Sequence, residues 1–373
     1  MEKINVVILR SNPINPDPRT ENEATALGKN GYNVIMLGWD RKVNSVSVEE
    51  KEHYKIFRIS LKAPTGIGVI VLWPIWWLLV AIWLLRNDWD IVHAADFDCY
   101  PPAYLISKIK HKKVVYDLID HYPDMLPLPH IIHSAFSHIN RCLINSADAV
   151  ILIDSCKIEQ IRGLKQEVTI IYNTPPTTYS FAKMVDNDNS FKIFYGGMLF
   201  SDRGIKNLLR LVKDMPNISF EIAGTGPQDI VQLVKEVAAN HKNLCYHGLL
   251  PYSKLQELVS KSQLVYAFYN PNIRNNVFAS PAKLFDSMAG STAVIMNKEI
   301  APSKIVEEET CGLLVPYNDY DALKETISWL MENKNYCMEL GTNGKKAYDA
   351  KYSWAIMEER LLTLYQSLSE RFN

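Results

Sequence analysis

Two doubly wound α/β domains are the fold that this 373-residue sequence predicts, and three features predict it. The chain is too long for one ordinary hydrophobic core. Its hydrophobic share of 47% is enough to fill two. Short β-branched runs alternate with helix-compatible stretches in two successive series, as parallel sheets joined by helical crossovers require.

In the first series, Ile4–Leu9 reads as a strand, the Pro-rich Ser11–Arg19 as a loop, and Thr20–Asn30 as a helix closed by Gly31. Val34–Trp39, Ile91–His93, Val114–Tyr116 and Ala149–Ile153 follow as buried strands. Ligands of such sheets lie at the carboxyl ends of the strands, which singles out Arg19, Asp96, Asp98, Asp117, Asp120 and His121. A lone Asp or His in such a place is more often structural than catalytic.

Ile67–Leu85 interrupts the alternation with IGVIVLWPIWWLLVAIWLL, whose only hydrogen-bonding side chains are four indoles. Its length is at the edge of what spans a bilayer. Pro74 argues against a continuous span, and crossing there would divide one sheet between two sides of a membrane. Two readings remain: a helix or helical hairpin in the membrane interface anchored by Trp73, Trp76, Trp77 and Trp83, or a helix buried in the core. The basic run Lys108, Lys110, His111, Lys112 and Lys113 either attracts anionic lipid or is a solvated turn.

Asn173–Pro176 and the polar residues 186–190 mark a linker, so that a first domain over 1–180 precedes a second over 190–352 and a closing helix over 353–373. Second-series strands are Ile193–Tyr195, Ser219–Ile222, Leu264–Phe268, Ala293–Met296 and Gly312–Val315, with terminal helices over Asp321–Glu332 and Trp354–Leu368.

Phosphate-binding features recur at these strand ends. Gly196-Gly197 can offer backbone amides without a Cβ in the way, Arg203 follows at a helix entrance, and Gly224 and Gly226 make a second open turn. In NVFASPAKLFDSMAG, Ser280 is expected to cap a helix with Pro281 in its first position, which aims a positive dipole end at an anion. Lys283 and Asp286 then share a face, a cation for phosphate and an acceptor for a ribose diol. Each feature alone is ordinary. Together they predict a nucleoside diphosphate pocket.

The formal net charge of -1 gives no general drive toward nucleic acid, and none is expected as a partner. Six cysteines without a C-x-x-C pair or zinc-spaced histidines predict reduced thiols in a cytoplasmic setting and no metal site. The apolar run at the N-terminus is of strand length, so no signal peptide is expected.

DPRTENEATALGKNGYNVIMLGWDR, VHAADFDCYPPAY and VVYDLIDHYPD in the first half, with YGGMLFSDRGIKNLL, FEIAGTGP and SPAKLFDSMAG in the second, resemble glycosyltransferase family 4 over nearly the whole chain. The resemblance implies the GT-B architecture of two facing Rossmann-like domains, the closing helix crossing back to the first. It implies a UDP- or GDP-linked sugar donor on the second domain, a glycan or lipid-linked acceptor on the first, retention of anomeric configuration, and neither cofactor nor divalent metal. A peripheral position on the inner face of the cell membrane, through residues 67–85, would suit such acceptors. By the same resemblance Asp286 takes the place of the second carboxylate of an E-x7-E motif, while the first falls on Phe278. Arg203 stands where the family has a phosphate-clamping Lys, the companion Arg is Met198, and a common His is Ile119. Lys283 is then the replacement cation. Arg203, Lys283, Asp120 and His121 are the catalytic candidates, with Arg19, Asp96 and Asp98 on the acceptor side. Two other readings of the same pattern are a silent nucleotide-sugar-binding scaffold and an epimerase.

Overall fold

The computed structural model describes residues 3–64, 66–176 and 190–370, and the chain divides into two compact units, residues 1–172 with 357–373 and residues 173–356. Residues 186–189 of the predicted linker lie outside the described residues.

The first unit holds an eight-stranded sheet in the order β3-β4-β2-β1-β5-β6-β7-β8. Its strands are β1 (Asn5–Arg10), β2 (Asn33–Asp40), β3 (Val48–Glu50), β4 (Tyr54–Ser60), β5 (Ile91–Ala95), β6 (Lys113–Leu118), β7 (Ala149–Leu152) and β8 (Val168–Ile170). All neighbours are parallel except β3 and β4. Val7, Leu9, Val92, Val114, Tyr116 and Val150 form its core with Trp39, Trp76 and Trp89, all almost fully buried. The sequence reading found the long apolar strands and missed β3 and β8, which are three residues long, and β4, whose run is broken by Lys55 and Arg58. The closing helix, Trp354–Glu370, contributes Met357, Leu361 and Tyr365 to buried positions in this unit.

The second unit is a six-stranded, wholly parallel sheet in the order β11-β10-β9-β12-β13-β14. Its strands are β9 (Phe191–Gly196), β10 (Ile218–Ala223), β11 (Leu244–Gly248), β12 (Leu264–Ala267), β13 (Ala293–Asn297) and β14 (Gly312–Val315). β11 and the helix Lys334–Ala347 were not legible in the pattern. The chain builds outward from β9 to one edge and then returns to add β12 on the other side. That reversal places a topological switch point at the carboxyl ends of β9 and β12, where ligands of open α/β sheets bind. The first unit has its own switch point between β1 and β5.

The apolar segment forms a 3-10 turn, Gly66–Leu72, and a helix, Trp73–Arg86. Pro74 sits in the first helical turn, where its missing N–H costs nothing, so it starts the helix rather than interrupting it. Trp73, Trp76, Val80 and Leu84 face the core. Trp76 stacks on Trp39 with ring centroids 5.0 Å apart, and the Trp76 and Trp77 indoles both donate to the Asp98 carbonyl. The expectation of a four-tryptophan lipid anchor is therefore corrected for Trp73 and Trp76, which are buried inside the unit, while Trp77 and Trp83 are half-buried. Gly68–Arg86 is nonetheless long and apolar enough to cross a membrane, by length and composition alone. Its outer face exposes Val71, Ile75, Leu78 and Leu85.

Candidate active site

At the switch point of the second unit, two glycine turns close on each other. The Gly197 N–H donates to the Ala223 carbonyl at 2.9 Å, and the Leu199 N–H to the Thr225 carbonyl at 2.8 Å. Gly224 has φ 140°, and a Cβ there would lie 1.8 Å from the Gly197 carbonyl oxygen. At Gly226 it would lie 2.4 Å from the Leu199 carbonyl. The glycines are thus required for loop-to-loop contact. The expected amide cradle is corrected to that extent: the Gly197 and Gly224 N–H groups bond to Ala223 and Gly248. Gly196, the last residue of β9, pairs with Ala223.

The cations do converge there. Lys283 Nζ lies 3.2 Å from where a Gly197 Cβ would be, 3.4 Å from the Tyr269 hydroxyl and 4.7 Å from the centre of the Tyr195 ring. Burial works against its charge, but Tyr195 and Tyr269 outweigh that and hold its pKa above the ordinary lysine value. The Arg203 guanidinium lies 4.4 Å over the same Tyr269 ring. Its Nη1 donates to Asp202 and to Asn276, each at 2.8 Å, and Asn276 donates in turn to Asp202 at 2.9 Å. Tyr269 and Asn276 were missed by the sequence reading. The strand-end rule that picked out Gly197 applies equally to Tyr269, which ends the run from β12.

The helix carrying Lys283 is Ala282–Ala289, with Pro281 in the N-cap position, one residue later than expected. Ser280 therefore precedes the cap, and no side-chain cap bond is made. Asp286 is buried and accepts hydrogen bonds on Oδ1 from the Tyr252 hydroxyl and from Gln256 Nε2. Burial raises its pKa to about 6 against those bonds and the Lys283 charge. Its carboxylate is thus fixed in position before any ligand arrives. Met198 is exposed and Phe278 half-buried, and neither side chain brings a charge to the site.

In the first unit the named residues are held by several distinct sets of side-chain bonds. Asp96, at φ 68°, accepts the Ile119 and Asp120 N–H groups at 2.9 Å each and lies 3.4 Å from Arg10. Burial is the main reason its pKa rises to about 8. Arg10, which the sequence reading overlooked, also bonds Asp17 at 2.5 Å and stands at the β1/β5 switch point. Asp98 accepts from the Tyr122 hydroxyl at 2.7 Å. His121 pairs through Nδ1 with Asp124 at 3.0 Å, while Asp124 also takes His133 and Gln160, both at 2.7 Å. Burial alone would raise the Asp124 pKa; the hydrogen bonds from His121, His133 and Gln160 reverse this and hold it well below the usual carboxylate range. A His oriented by a carboxylate is the arrangement of a general base.

Arg19 does not belong to a ligand surface. It is buried, grips Asp117 through Nε at 3.1 Å and Nη2 at 2.8 Å, and donates to the Ile171 carbonyl at 2.7 Å. Its expected acceptor-side role is replaced by a buried ion pair.

Residues 178–347 match the family described as glycosyl transferases group 1. Over those residues the chain is similar to group 1 glycosyl transferases. An uncharacterised glycosyltransferase of Methanocaldococcus jannaschii is 25% identical over 75% of this chain and 76% of its own length. Sucrose-phosphate synthase of Thermosynechococcus elongatus superposes with TM-score 0.80 at 16% identity, covering 99% of this chain and all of the other. HepE of Anabaena, solved in complex with UDP-glucose, superposes at 0.72 with 14% identity, covering 98% of this chain and 100% of its own. The two units of the chain accordingly have the GT-B fold of these structures.

Proposed function

We propose that this transferase is a retaining, metal-independent hexosyltransferase that moves a sugar from a UDP- or GDP-sugar to a glycan or lipid-linked acceptor in surface polysaccharide or glycolipid synthesis. The observation that carries the reading is the convergence of Lys283 and Arg203 on the Tyr269 ring, at the switch point that Gly197 and Gly224 shape. Cleavage of the sugar–diphosphate bond leaves negative charge on the departing phosphate. Cations fixed beforehand at that position lower the barrier without reorganising. Ser280 and Pro281 bring the start of the Lys283 helix to the same anion, and Asp286 accepts from the ribose hydroxyls. Retention follows from attack on the face that the phosphate leaves, with Asp120 and the Asp124-oriented His121 on the acceptor side together with Asp96 and Asp98.

Thermal shift with UDP- and GDP-sugars tests the donor site, since a ligand at a hundred times its Kd adds about 2.7 kcal/mol of stability. Stabilisation by at least one nucleotide sugar, with release of free nucleotide when acceptor is added, is the expected result. No shift with any of them ends the proposal. Phe278 and Met198, at positions where the family has charged residues, favour one rival, a scaffold that binds the donor without turnover; binding with no nucleotide release would select it.

The exposed face of Val71, Ile75, Leu78 and Leu85 supports a seat on the inner face of the cell membrane, where lipid-linked acceptors are presented. The neighbouring lysines contribute less than their number suggests, because Lys112 pairs with Asp90 at 2.7 Å, Lys113 with Asp148 at 3.4 Å, and Lys110 donates to the Asn87 carbonyl. Replacing Val71 and Leu78 together by Ser should abolish flotation with liposomes while leaving the melting temperature within about 2 °C, as expected for exposed positions. Undiminished flotation would count against the seat.

A further inference from the structure

Away from the donor site, β10 and β11 bring three metal-ligating side chains to one face of the sheet. Glu221 and Cys245 are register partners on the adjacent parallel strands, and His247 follows Cys245 by two residues, so all three project the same way. Tyr246, between them, points to the opposite face, where it packs against the main core of the unit and donates to the Gly224 carbonyl at 2.9 Å. His247 Nε2 lies 2.5 Å from Glu221 Oε2, Cys245 Sγ lies 4.0 Å from His247 Nδ1, and one ligand atom from each residue falls within 4.8 Å of the other two. Ligand atoms around a tetrahedral zinc ion stand roughly 3.5 Å apart, so small side-chain rotations close the set.

We propose that Glu221, Cys245 and His247 bind a zinc-class divalent cation, with solvent in the fourth position. Thiolate and imidazole select a borderline-soft ion over Mg²⁺ or Ca²⁺. Cys245 is exposed, which leaves both an entry path and room for the water. Burial and then Glu221 raise the Cys245 pKa, so the thiol keeps its proton until the metal displaces it. On binding, that proton passes to solvent, the hydrogen between His247 Nε2 and Glu221 moves to Nδ1, and the freed Nε2 lone pair joins the metal; nothing is oxidised or reduced.

The buried trio Glu23, His93 and Asp117 meets the same distance test but fails on charge, since the Arg19 guanidinium already holds Asp117 and stands 3.3 Å from Glu23. Among the described residues, no cation is seen paired with the surface trio. Its position also gives the metal a consequence. The residue after His247 is Gly248, whose carbonyl accepts the Gly224 N–H at 2.7 Å, so an ion there ties the edge strand to the turn that contacts Gly197.

The test uses the full chain stripped with a chelator and titrated with Zn²⁺ by calorimetry, and with Cd²⁺ by ultraviolet absorption. One equivalent of Zn²⁺ should bind, Mg²⁺ should not, and Cd²⁺ should produce a thiolate charge-transfer band. Cys245→Ser should remove the band, and Cys245→Ser or His247→Ala should weaken Zn²⁺ at least tenfold. Cys142→Ser, at the exposed cysteine beside His138, should change neither reading. Zinc affinity unaltered by Cys245→Ser and His247→Ala, or no stoichiometric binding to the wild-type chain, overturns the proposal. Because Cys245 is exposed and the serine nearly isosteric, both variants can be verified as folded by their unchanged melting temperature without metal.

Discussion

Lys283→Ala should lower sugar transfer by two to three orders of magnitude while the protein stays folded. The first half of that expectation rests on what the ammonium faces. It sits against Gly197, beside Tyr195 and Tyr269, at the end of β9 where the fold places a ligand. If it meets the departing phosphate, its loss resembles removal of one preorganised donor from an oxyanion site, worth about 10²–10³ in kcat. The second half rests on what it holds together. Its protein contacts are two aromatic faces at 4.7 and 5.4 Å and a long bond to the Tyr269 hydroxyl, and such cation–π contacts contribute on the order of 0.5–2 kcal/mol each. Steady-state kinetics against a urea titration separates the two effects. Tyr269→Phe keeps both cation–π contacts and should cost far less. Arg203→Ala is expected to follow Lys283→Ala in rate but with a larger stability loss, because it also breaks the Asp202–Asn276 network. Wild-type turnover in Lys283→Ala would remove the lysine from the chemistry and leave Asp286 and Arg203 as an ordinary nucleotide grip.

The parts of this site that were legible in the sequence share one property: they are set by local rules. Gly197 and Gly224 follow buried strands, and Lys283 and Asp286 are one turn apart on a helix. What escaped depends on which strands are neighbours. β12 pairs with β9 across a gap of more than sixty residues, and only that pairing brings Tyr269 under both Arg203 and Lys283. Likewise Tyr252 and Gln256, which orient Asp286, come from a helix about thirty residues upstream. The apolar stretch stayed ambiguous for a different reason. Its composition was read as four equivalent tryptophans, but helical geometry turns Trp73 and Trp76 inward and leaves Ile75 and Leu78 outside. Composition sets the total hydrophobicity, while the phase of the helix decides which residues spend it.

Arg19→Ala should destabilise the first unit by about 3–5 kcal/mol, the cost of leaving a buried charge without its partner. A strand-end position suggested a ligand contact for Arg19, and its surroundings give the opposite answer. Its guanidinium is the only cation the structure shows in contact with Asp117 and Glu23 among the described residues, both at 0% exposure. His93 lies beside the same carboxylates at 3.6 and 3.8 Å, with its Nδ1 bonded to the Tyr365 hydroxyl at 2.8 Å. Burial already raises the Glu23 pKa to about 7 with Arg19 present. Asp117, by contrast, is pulled well below the usual range because Arg19 and His93 overcome its own burial. Remove the guanidinium and the buried Asp117 carboxyl has no fork to receive it, while the Ile171 carbonyl loses its donor. Tyr365 connects the cluster to the closing helix, so docking of that helix should loosen together with the sheet. Equilibrium urea unfolding of Arg19→Ala, with hydrogen exchange at Met357–Tyr365, measures both. Arg19→Lys should recover only part of the loss, since an ammonium cannot span both Asp117 oxygens and Ile171 at once. If Arg19→Ala is as stable as the wild type yet transfers no sugar, the ion-pair assignment is wrong and the arginine belongs to the acceptor after all.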